Sequence, residues 1–194
     1  MKILHQVGCL RAPPGPTAWV SIGTTLSVLQ KGSPGARSLD ALPLMPHGGP
    51  VIDVVLLPGR DKAARRRHPW VLSGAVARVQ DAAESPQGAW SRVLSAEGET
   101  LGFGHYCPAS QIRVRLLVFG KDPPDDGLLA ERIGQAVARR AADPLIGDTD
   151  AVRLVNGEAD GLPGLVVDRY RDVVVVKLGS AGMSVRRALL AGAL

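Results

Sequence analysis

The stretch GRDKAARRRHPWVLSGAV, residues 59 to 76, gathers Arg60, Lys62, Arg65, Arg66 and Arg67 into eight positions and follows them with His68, Pro69 and Trp70. Like charges this close repel, so the cluster opposes folding unless something anionic offsets it, and Asp61 is the only acid beside it in sequence. A nucleic-acid backbone would do so. On a helical turn Lys62 and Arg66 share a face, and a positive ridge of this kind tracks phosphates with an affinity that falls as salt rises. The plainer reading is a solvated face without a partner. Trp70 would either stack on an exposed base or anchor a core with its indole N–H bonded to backbone; an apolar strand begins with it, which favours the core. His68 would meet a phosphate or base, or cap the turn. In QIRVRLLVF (111 to 119), Arg113 and Arg115 lie opposite Ile112, Val114 and Leu116, either extending the positive surface or forming the polar face of a half-buried sheet.

A second constellation, NGEADGLPGLVVD, carries Glu158, Asp160 and Asp168. Paired carboxylates can share general acid and base work, which would make the chain a hydrolase. Their spacing is not that of a calcium loop. Asn156-Gly157, Asp160-Gly161 and Pro163-Gly164 are turn dipeptides, so an ordered turn between two strands is the preferred reading. His105 and Cys107 make an H-x-C pair without further ligands for zinc, and no metal is expected. Neither a glycine-rich phosphate loop nor a nucleophile elbow occurs. Two cysteines, Cys9 and Cys107, give no disulfide framework and point to a reducing, cytoplasmic compartment.

The elements that must position these groups follow from patterning. A chain of 194 residues suffices for one substantial core or two small ones, and no apolar run approaches the roughly 20 residues of a membrane span. MKILHQVGCL is broken by His5 and Gln6 and is no secretory signal. Residues 1 to 50 hold seven of the 15 prolines and are expected to be a disordered or spurious leader, with Met45 placed for an internal start. They carry four basic and one acidic residue; the remainder carries 19 basic and 17 acidic, so its information lies in clustering. VIDVVLLP, WVLSGAVARV, SRVLSAEGETLGFGHY and QIRVRLLVF predict short strands with a hairpin at Glu97-Gly98-Glu99, a small curled β-unit over residues 51 to 120. GKDPPDDG is a linker. LLAERIGQAVARRAA (128 to 142) has the spacing of an amphipathic helix. AVRLVNGEADGLPGLVVDRYRDVVVVKLGS then predicts three strands, and MSVRRALLAGAL a closing helix that stops without a cap, as a truncated chain would.

LLPGRDKAARRRHPWVLSGAVARV, GHYCPASQIRVRLL and AVRLVNGEADGLPGLVVDRY, in that order, resemble the N-terminal half of bacterial class I S-adenosylmethionine-dependent methyltransferases of the large ribosomal RNA, which act on carbon 5 of a cytosine in 23S rRNA. The resemblance runs from about residue 53 to the C-terminus. It implies an α+β chain: a PUA-like pseudo-barrel over 51–120 that binds RNA, then a truncated central domain of strand-strand-helix-strand-strand type over 121–194. The family's catalytic domain, with its Rossmann-like sheet, cofactor turn and catalytic cysteine, has no counterpart among these motifs. Cys107 falls in the PUA-like part, where relatives tend to carry serine. The chain alone is therefore expected to be inactive in methyl transfer and to bind no S-adenosylmethionine, serving as an rRNA-holding arm with Lys62, Arg65, Arg66, Arg67, His68 and Arg113 as contacts. The competing expectations are the hydrolase built on Glu158, Asp160 and Asp168, and a non-catalytic protein-interaction module presenting an apolar patch.

Overall fold

The computed structural model describes residues 19–22, 28–30, 51–80, 86–125, 127–146 and 149–194. Most of the expected leader lies outside them. Its two described pieces are strands, β1 (Trp19–Ile22) and β2 (Val28–Gln30), paired antiparallel with each other.

Between Ile52 and Phe119 the described strands form a curled β-unit. Six strands, β3 (Ile52–Leu56), β4 (Trp70–Leu72), β5 (Val76–Val79), β6 (Trp90–Leu94), β7 (Thr100–Tyr106) and β8 (Ile112–Phe119), make one sheet in the order β4-β8-β7-β6-β3-β5. The hairpin falls where Glu97-Gly98-Glu99 puts it, and Gly98 takes a φ of 87°. Register shifts in four of its strand pairings, including β7 with β8, curl the sheet around Val54, Val93, Val114 and Leu116. β7 crosses β8 so closely that a β-carbon at Gly104 would lie 2.1 Å from the Arg115 carbonyl oxygen. Only glycine allows that approach.

The second unit is a five-stranded sheet, β2-β1-β11-β10-β9, in which β9 (Ala151–Asn156), β10 (Leu165–Tyr170) and β11 (Val173–Leu178) run antiparallel to one another in turn. β1 adds to β11 in parallel. Helix α2 (Leu128–Ala141) buries Leu129, Ile133 and Ala136 against this sheet, the stripe its spacing predicts. The closing helical pattern is split in two, α3 (Ala181–Val185) and α4 (Arg187–Gly192), with the break at Arg186. Ser180 caps α3 by accepting the Met183 N–H at 3.3 Å.

The units share a seam. Because side chains alternate along β8, Val114 and Leu116 enter the barrel core while Leu117 joins the core of the second unit. Across four strands the register aligns Trp70, Arg115, His105 and Trp90 in one row. That row meets the second unit: Trp70 bonds Glu158, Trp90 lies under the Arg186 guanidinium, and His105 packs on Gly182.

Candidate nucleic-acid interface

The basic stretch forms a single helical turn, α1 (Lys62–Arg65), entered through the Pro58-Gly59 turn and anchored by buried Ala64. It ends in a Schellman arrangement: the His68 N–H reaches the Ala63 carbonyl and the Arg67 N–H the Ala64 carbonyl, each at 2.9 Å. The left-handed position this requires is filled by Arg67, at φ 61°, where glycine is usual. The turn therefore throws Lys62, Arg65, Arg66 and Arg67 outward, and all four are exposed.

They are not equivalent. Arg65 donates to Asp61 at 2.5 Å and to Glu99 at 2.6 Å, bridging the helix to the β6–β7 hairpin. Its guanidinium holds both carboxyls below their usual range, by hydrogen bonding in each case. Arg65 is thus already neutralised within the protein. Lys62 and Arg66 have no ion-pair partner among the described residues. Arg67 lays its guanidinium over the Phe119 ring, 5.6 Å from the centroid, an arrangement that retains its charge.

His68 and Trp70 continue the surface beyond the turn. His68 Nδ1 accepts the Trp70 backbone N–H at 3.2 Å, and its ring stands perpendicular to the indole at 5.6 Å. The core placement expected for Trp70 is overturned. β4 is an edge strand in which Val71 points inward, so the alternation turns Trp70 and Leu72 out, 39% and 53% exposed. The Trp70 indole N–H donates to Glu158 Oε1 at 2.9 Å, not to backbone. Arg113 sits half-buried on β8, two residues from Arg115, which is opposite Trp70.

The three carboxylates proposed for hydrolysis do not converge, which corrects that reading. Glu158 is taken by Trp70. The Asp160 side chain, 4% exposed, accepts from Arg139 at 2.7 Å, twice from Arg140 at 2.8 Å, and from the Asn156 N–H at 2.6 Å. Burial works to raise its pKa, but these hydrogen bonds prevail and lower it. Asp168 pairs with Arg153 at 2.8 Å. Each acid has its own cation or donor, leaving no shared proton. A cleft of about 340 Å³ beside the end of α2 contains Arg140, Asp143 and Arg169 and none of the three.

The described residues offer no group of three or more His, Cys, Asp or Glu side chains placed to hold a metal ion, and no helix among them is long and apolar enough to cross a membrane. At the turn from β11 into α3 a cofactor cradle fails on geometry. β11 does run through Gly179-Ser180 into α3, yet Gly182 is closed by His105, Gly179 lies on Gly164, and Ser180 is spent on its cap. S-adenosylmethionine does not fit there. Cys107 is buried, accepting a 3.6 Å contact from Gln87.

Residues 54–119 match the PUA-like domain family, and the curled six-stranded unit is a PUA-like domain. Two relatives share one name. Over 144 residues the chain is 41% identical to the ribosomal RNA large subunit methyltransferase I of Enterobacter sp. (strain 638), covering 74% of this chain and 36% of that one. It is 45% identical over 132 residues to the protein of the same name from Alteromonas mediterranea, covering 66% and 32%. The chain is similar to these methyltransferases and spans about a third of their length. A solved structure described as a SAM-dependent methyltransferase from Streptococcus mutans superposes with a TM-score of 0.58 at 18% identity, over 74% of this chain and 37% of the other. SMU.776, a methyltransferase complexed with SAH, gives 0.59 at 17%, over 74% and 36%. These two establish likeness of fold.

The residues that sequence reasoning missed are those of the seam. Trp70–Glu158 and His105–Gly182 join positions far apart in the chain, and no local pattern couples them.

Proposed function

We propose that this chain is the RNA-holding part of an S-adenosylmethionine-dependent methyltransferase that acts on carbon 5 of a cytosine in 23S rRNA. Supporting it most directly is the α1 turn, which projects Lys62, Arg66 and Arg67 with their charges uncommitted to any acid among the described residues. The relatives' names supply the ribosomal RNA. Phosphate contacts from the turn and His68, with Arg113 farther along β8, fix the orientation of structured rRNA while carrying no sequence information themselves. Arg65 contributes by holding the turn in place. The methyl transfer is assigned to none of these residues.

Filter binding of the chain to a 23S rRNA transcript in rising salt tests the reading. Saturable binding that weakens steeply with salt supports it. Absence of saturable binding at low salt rejects it.

A further inference from the structure

We infer that Trp70 is a stacking platform for an unpaired RNA base, so that the ligand of this surface is structured RNA with an extruded or single-stranded nucleotide and not a continuous duplex. The inference rests on the RNA-holding role proposed above.

Trp70 is a large apolar side chain left 39% exposed on an edge strand. It is also held still. The hydrogen bond from its indole N–H to Glu158 Oε1, 2.9 Å long, lies in the ring plane, so it fixes the ring without covering either face. His68 steadies it from a second direction, perpendicular at 5.6 Å. A ring fixed in advance loses little conformational freedom when a base stacks on it.

Its surroundings name the ligand. Arg66 and Arg67 precede it by four and three residues, and Arg115 is its partner across β4 and β8. An aromatic face among cations suits a nucleotide whose base leaves the helix while its phosphate stays with the charges. Paired bases are already stacked and cannot reach it. The position of Glu158 argues the same way. A carboxylate beside a basic surface weakens phosphate binding, and its hydrogen bond to Trp70 gives it a compensating role.

The test compares the full chain and three variants for binding to an RNA hairpin with an unpaired loop and to a blunt RNA duplex carrying the same number of phosphates, at one salt concentration. Trp70→Leu raises the dissociation constant for the hairpin about tenfold and leaves the duplex within about twofold, because stacking is lost and charge is not. Trp70→Phe, which keeps an aromatic face but has no N–H for Glu158, recovers part of the hairpin affinity, and that recovery guards against misfolding of the leucine variant. Glu158→Gln, which removes a negative charge and weakens the tether, lowers hairpin affinity while raising duplex affinity. If Glu158→Gln tightens both RNAs, or Trp70→Leu weakens both equally, the platform is overturned and the basic turn stands. If the unaltered chain binds neither RNA, both fall.

Discussion

The ring of His105 and the α-carbon of Gly182 are packed so closely that a β-carbon on Gly182 would lie 2.1 Å from the imidazole Cγ and Nδ1. This is the point where the PUA-like sheet meets the second unit. Gly182→Ala forces strand β7 and helix α3 apart and is expected to cost about 1–3 kcal/mol, the usual range for overpacking. Gly134→Ala is the control: it lies within α2 with open space around it, and it gains helix propensity of up to about 1 kcal/mol. Chemical denaturation of both variants checks the pair. Equal stabilities for Gly182→Ala and the unaltered chain would mean the seam is loose.

The same histidine makes the fold acid-sensitive. His105 is 2% exposed, and neither ring nitrogen has a hydrogen-bond partner among the described residues. Burial pushes its pKa well below the ordinary value, and the charges of Arg186 and Arg115 push the same way. Below about pH 6.5 the unfolded chain takes up a proton that the folded chain refuses. Stability therefore falls as pH drops from about 6.5 towards the folded pKa, by up to about 1.4 kcal/mol per unit from this group. Denaturation midpoints between pH 7.5 and 5 should show the slope, and His105→Gln should remove that component of it.

Arg67 combines strain with exposure. Its φ of 61° suits glycine, and its guanidinium caps Phe119. Arg67→Gly relieves the backbone by about 1 kcal/mol and loses a ring contact of about 0.5–1 kcal/mol, so stability should change little. Arg67→Ala keeps the strain and loses the contact, and should be the less stable variant by about 1 kcal/mol. Both should bind RNA more weakly. Thermal melts and RNA titrations of the two variants separate backbone conformation from charge.

Local pattern carried much of this fold. The α2 stripe, the Glu97-Gly98-Glu99 hairpin and the β9–β10–β11 meander all lie where periodicity and turn residues put them, because each depends on neighbours in sequence. Trp70 was misjudged for a related reason. Alternation assigns a strand two faces but does not say which strand is an edge, and β4 is one. Pairings across units are equally silent: nothing in HPW or NGEAD announces that Trp70 and Glu158 meet. The basic cluster was readable as a cluster, but the capture of Arg65 by Glu99 depends on a hairpin 34 residues away.

That division within the cluster allows the most direct test of the RNA-holding surface. The salt dependence of rRNA binding should be measured for the unaltered chain, for Lys62→Ala with Arg66→Ala, and for Arg65→Ala. The account predicts that the double variant flattens the plot of log affinity against log salt by about 1.4–1.8, or about 0.7–0.9 for each lost phosphate contact, while Arg65→Ala leaves the slope nearly unchanged and lowers the melting temperature. An unchanged slope in the double variant would contradict it.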